Sequence, residues 1–180
     1  MKKLNYVFIV AVLFMAQFAD AQKLPALDPS PADIAYFRPN GFNTFPVIIK
    51  VTYGRPSKKG RIMLGGIEPF GKVWRLGANE ATEIKLYQDT KFGDKVIKAG
   101  TYALFAIPDA KEWTIIFNSE LDTWGAFSYK EAKDVARIKV SAGKTESPVE
   151  TFGIAFEGTA GKGDMIFGWE DTLVKVPFTY

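Results

Sequence analysis

From Pro46 almost to Tyr180, apolar and polar residues alternate with a period of two, and this pattern limits the chain to very few folds. Val47, Ile49, Val51 and Tyr53 alternate with Ile48, Lys50 and Thr52. Ile84 and Leu86 alternate with Glu83, Lys85 and Tyr87. The same spacing joins Trp113, Ile115 and Phe117, and then Ala136, Ile138 and Val140. It returns at Phe152, Ile154 and Phe156, at Met165, Phe167 and Trp169, and at Val174, Val176 and Phe178. Successive side chains of a strand point to opposite faces, so each run reads as a strand with one buried face. Tyr102 to Ile107 is apolar on both faces and is expected to be a central strand.

Turn chemistry separates these runs. Gly93-Asp94 lies between Phe92 and Lys95 and predicts a short hairpin. Ala99-Gly100, Pro108-Asp109, the stretch 158–163 and Glu170-Asp171 predict further reversals. Pro177 has no amide donor and predicts an edge strand at that point. Helical signal is confined to Ser128 with Glu131, the spacing of a capping box, with room for only a turn or two. The expected fold is all-β, a single antiparallel β-sandwich of roughly 8–10 strands over residues 46–180.

The N-terminus reads differently. Lys2 and Lys3 precede an apolar run from Leu4 to Phe18, and Ala19-Asp20-Ala21 fits the small-x-small rule for cleavage before Gln22. The apolar run is short for a membrane span of about 20 residues. Residues 1–21 are therefore expected to be a cleaved signal peptide that leaves no transmembrane anchor. The protein is expected to be exported, periplasmic or extracellular. Residues 22–45 carry Pro25, Pro29, Pro31 and Pro39 and are expected to form a poorly ordered lead-in.

Composition then removes function classes. The 180 residues contain no Cys and no His. That excludes a disulfide framework, a thiolate nucleophile, a Cys-ligated zinc and a catalytic triad that uses His. Asp89, Asp94 and Asp164 do not form the dense acidic loop that binds calcium, so no metal and no cofactor are expected. A net charge of +3 without a dense basic stripe argues against nucleic acid. Glu80 with Asp122 or Glu68 would satisfy the two-carboxylate requirement of a glycosidase. Among 20 acidic residues such pairs are common, so a non-catalytic role is favoured.

The stretch 54–82 is a long connection between two good strands, dense in Gly, Arg and Lys. Long ordered loops in compact domains are often functional. Arg55, Arg61 and Arg75 carry planar five-donor forks suited to carboxylate or phosphate, and their alternative role is pairing with Glu68, Glu80 or Glu83. Asn79 and Glu80 follow Gly77-Ala78 and suit either sugar hydroxyls or loop amides. Trp74 and Trp124 offer flat faces for stacking sugar rings, or else core volume.

Several motifs here are long. They include Tyr53-Gly54-Arg55-Pro56-Ser57, Lys59-Gly60-Arg61, and Gly71 to Thr82 with its Trp74-Arg75 and Gly77-Ala78-Asn79-Glu80. Ala99-Gly100-Thr101-Tyr102, Glu112-Trp113-Thr114 and Trp124-Gly125-Ala126 are others. Together they resemble the bacterial family catalogued as domain of unknown function 2911. The resemblance implies an export-associated, mostly β domain of a Bacteroidetes-like bacterium, and it names no reaction. The combined expectation is an exported domain that binds a glycan or other anionic ligand through Arg55, Arg61, Trp74, Arg75, Asn79, Glu80 and Trp124. An envelope protein–protein interaction domain is the first alternative, and a His-independent carboxylate hydrolase the second.

Overall fold

The computed structural model describes residues 24–41 and 45–180, so the expected signal peptide lies outside the described residues. The strands are β1 (Ala32–Phe37), β2 (Ile49–Gly54), β3 (Thr82–Leu86), β4 (Thr90–Phe92) and β5 (Lys95–Ile97). They continue with β6 (Gly100–Ile107), β7 (Glu112–Asn118), β8 (Asp134–Thr159) and β9 (Lys162–Thr179). The nine strands form one sheet in the order β1-β2-β3-β6-β7-β8-β9-β4-β5, antiparallel at every pairing. The all-β expectation and its strand count therefore hold. β6 lies between β3 and β7, as its two apolar faces require. Phe92 pairs with Lys95 across the Gly93-Asp94 turn.

The sheet folds over its own apolar face at β8. The first part of β8, to Ser141, pairs with β7, and the part from Ala142 onward pairs with β9. The two halves thus face each other across one core. Phe37 on β1 meets Phe178 on β9 with ring centroids 4.9 Å apart. Phe92 on β4 meets Phe117 on β7 at 4.9 Å, and Tyr53 on β2 meets Phe152 on β8 at 5.8 Å. Rings at these separations add edge-on and tilted attraction to their area burial. With no disulfide available, this aromatic core and the hydrogen-bond ladder hold the fold.

Four local expectations are corrected. The Pro-rich lead-in is not structureless, because Ala32–Phe37 pairs along its length with β2, from Ala32↔Gly54 to Phe37↔Ile49. Pro31 and Pro39 bracket that strand instead of interrupting it, so no ladder donor is lost. Glu170-Asp171 is not a reversal. Glu170 adopts φ 54° inside β9 and faces Val149, with register shifts on both sides of that pair, so the turn residues serve as a bulge. β9 then curls until the Tyr180 N–H donates to the Gly161 carbonyl at 3.2 Å. Pro177 does not mark an edge, since β9 is flanked by β8 and β4. It falls between the last β8 pair at Val174 and the β4 pair at Phe178. Finally, Ser128 caps nothing, because the short 3-10 turn Glu131–Lys133 starts after Lys130 and has no side-chain cap.

Candidate functional site

The connection from β2 to β3 is packed into the molecule as a plug. Met63, Leu64, Trp74, Leu76 and Ala78 are buried. Trp74 pairs with Ala106 through two backbone hydrogen bonds of 2.7 and 2.8 Å, beyond the point where β3 stops pairing with β6. Both carboxylate oxygens of Glu170 accept amides of the plug, from Met63 at 3.1 Å and from Leu64 at 2.9 Å. The same left-handed residue that bends β9 thus holds the loop in place.

This packing decides the roles of several predicted residues. Trp74 is 2 % exposed, stacks on Trp169 at 5.6 Å and donates its indole N–H to the Gly77 carbonyl at 3.1 Å. It belongs to the core and offers no face to a ligand. Arg55 donates to Asp33 Oδ2 at 2.9 Å and to the Phe152 carbonyl at 3.2 Å, tying β1, β2 and β8 together. Arg61 donates to the carbonyls of Lys58 at 2.8 Å and Ser57 at 2.9 Å. Arg75 pairs with Glu68 at 3.6 Å. Burial pushes the Glu68 carboxyl upward, and the Arg75 charge opposes that shift. The three arginines therefore face partners within the protein. None of them lines the cavity that holds Asn79 and Glu80.

That cavity has a volume of about 260 Å3. Ser30 and Ala32 form one wall, Thr52, Tyr53 and Gly54 a second, and Asn79, Glu80, Ala81 and Glu83 a third, with Asp122 at the rim. A Cβ on Gly54 would stand 2.1 Å from the Ala78 carbonyl oxygen, so only glycine allows the plug to close against β2 here. Asn79 and Asp122 both have left-handed backbones, at φ 63° and 56°. Asn and Asp tolerate that conformation better than most residues. The Asn79 amide reaches the Ser30 carbonyl at 3.4 Å, and Glu83 Oε1 accepts the Asp122 N–H at 3.4 Å.

Trp124 joins this site through the backbone. The Ala81 N–H donates to the Thr123 carbonyl at 2.9 Å and the Gly125 N–H to the Asn79 carbonyl at 3.0 Å. Glu80 and Trp124 form the bridge between these two bonds. Such a non-hydrogen-bonded antiparallel pair brings side chains close together on one face. Both side chains are exposed, Trp124 by 61 %. Of the residues expected in a site, the fold gathers Asn79, Glu80 and Trp124, and it assigns Arg55, Arg61, Trp74 and Arg75 to internal contacts. Sequence reading missed Ser30, Glu83 and, as a binding residue, Asp122. Asp122 beside Thr123-Trp124-Gly125 was the one available signal, since a turn-forming acid next to an aromatic suits a binding loop.

Among the described residues, no group of acidic side chains is arranged to hold a metal ion, and no helix is long and apolar enough to cross a membrane. No curated protein and no solved structure matches the chain. A family model does match, over residues 43–178, a span that holds the plug, the Asn79-Glu80 corner and the Trp124 loop. The chain accordingly belongs to the family described as protein of unknown function (DUF2911).

Proposed function

We propose that this protein is an exported, non-catalytic domain that binds a neutral glycan. The supporting observation is the exposed Trp124, paired through the backbone with Glu80, which itself lines a cavity together with Asn79, Glu83 and Asp122. Sugars offer an apolar ring face to an aromatic side chain and hydroxyl donors to carboxylates, which is the complement of this arrangement. The lining holds three carboxylates and neither Lys nor Arg, so it favours a neutral ligand over the broader anionic class. Export rests on Lys2, Lys3 and the Ala19-Asp20-Ala21 cleavage pattern.

Isothermal titration with soluble neutral and acidic oligosaccharides tests this reading. Binding is expected from a neutral class and should be lost in both Trp124→Ala and Glu80→Gln, with melting temperatures unchanged. Binding that prefers acidic sugars, or that survives both substitutions, would refute it.

A second reading has its own observation. Ile62, Ile67 and Phe70 on the plug are 73, 51 and 44 % exposed. Such a group suits contact with another protein of the cell envelope. Envelope cross-linking at a probe placed on Ile62, with one protein captured reproducibly and lost in Ile62→Asp, would support it.

A further inference from the structure

A larger cavity lies elsewhere. Its volume is about 520 Å3, within the range of about 300–1,000 Å3 usual for small-molecule sites. It sits where β9 curls back on itself, between the β8–β9 hairpin tip and the strand's own end, at the point closed by the Tyr180 to Gly161 hydrogen bond. The mouths of curled sheets and barrels are frequent ligand sites. Gly93, Gly158 and Gly163 line it without side chains, and Pro177 gives it an apolar surface, with the buried Phe178 behind it. Thr159 and Thr179 bring hydroxyls.

Its charge is opposite in character to that of the Trp124 site. Lys91 and Lys162 both line the cavity and are exposed, and among the described residues neither makes an ion pair. The other lysines near this end are engaged: Lys95 pairs with Asp94 at 3.0 Å, and Lys175 pairs with Glu157. Asp164 is the single carboxylate side chain in the lining. Two exposed ammonium groups outside any ion pair, Lys91 within electrostatic reach of Asp94, suit a molecule with one anionic end and an apolar body.

We propose that this mouth is a second binding site, separate from the glycan cavity, for a small organic anion with an apolar tail, such as a medium-chain carboxylate. Its carboxylate sits between Lys91 and Lys162, and its tail lies on Pro177 and the glycine backbone.

Octanoate is the probe, with octanol and octyltrimethylammonium as neutral and cationic controls of similar length. Saturable octanoate binding is expected by titration calorimetry, with amide shifts at Gly158, Gly163 and Phe178 in an NMR spectrum. Octyltrimethylammonium should not bind. The double variant Lys91→Met/Lys162→Met should weaken octanoate by about tenfold or more with an unchanged melting temperature. Absence of saturable octanoate binding, equal binding of the cation, or full binding by the double variant would overturn the proposal. Trp124→Ala should leave octanoate binding intact, so failure of one site is distinguishable from failure of the other.

Discussion

Trp74 and Trp124 carry the same indole, and their neighbours give them opposite roles. Trp74 sits between Trp169 and Phe152, with its N–H satisfied by Gly77. Trp74→Ala should cost about 3–5 kcal/mol in chemical denaturation, through lost area and the cavity left behind. Trp124→Ala should stay within about 0.5 kcal/mol of the parent, because its ring leaves no cavity when removed. Local sequence could not separate the two, since both stand next to glycine-rich turns. What separates them is the Trp74 pairing with Ala106, a contact across 32 residues of chain. Tyr129 illustrates a residue whose state depends on a partner. Burial and its hydrogen bond to Asp134, at 2.6 Å, push its phenol up to about 12. A raised phenol favours the neutral form in the folded state. Its contribution to stability is complete below the ordinary value of 10.0 and is lost as pH rises toward about 12. Denaturation midpoints measured from about pH 9 to about pH 12 should fall for the parent and fall less for Tyr129→Phe.

At the scale of elements, the strands were legible and their ends were not. Alternation located β2, β3 and β7, because one buried face imposes a period of two, and a run apolar on both faces located β6. It also found the inward residues of β8 and β9 but divided both strands, β9 because Glu170-Asp171 has turn composition. The structure uses those residues as a bulge that bends one strand. No local pattern distinguishes a bulge from a turn; the outcome depends on which partner strand is opposite. Glu170 links the bend to the plug through Met63 and Leu64. Glu170→Ala should leave two part-buried amides without acceptors and cost about 2 kcal/mol or more. Hydrogen exchange should accelerate first at Met63 and Leu64. Unchanged exchange there would show that the plug is held by packing alone.

Across the whole molecule, one aromatic core is enclosed by a sheet folded over at β8, and two cavities of opposite charge open at its surface. Half of the Trp124 site was legible in advance: Asn79, Glu80 and Trp124 stand beside glycines in polar loops. The remainder was not, because Ser30, Thr52 and Asp122 come from distant segments that only the β1–β2 pairing and the Glu80–Trp124 bridge bring together. Arginines of the basic loop make internal bonds, for a physical reason. A long connection without disulfides must satisfy its own backbone, and arginine donors do that at Ser57, Lys58 and Phe152.

The central claim concerns Trp124, and the protein supplies its own reporter. Trp74, Trp113 and Trp169 are 1–2 % exposed, so of the four tryptophans Trp124 is the one open to a ligand. The most direct measurement is tryptophan emission during titration with neutral oligosaccharides of glucose, xylose, mannose and N-acetylglucosamine. A saturable blue shift with at least one series, absent in Trp124→Phe, is the predicted result. No shift with any series, or a shift that persists in Trp124→Phe, would contradict the account.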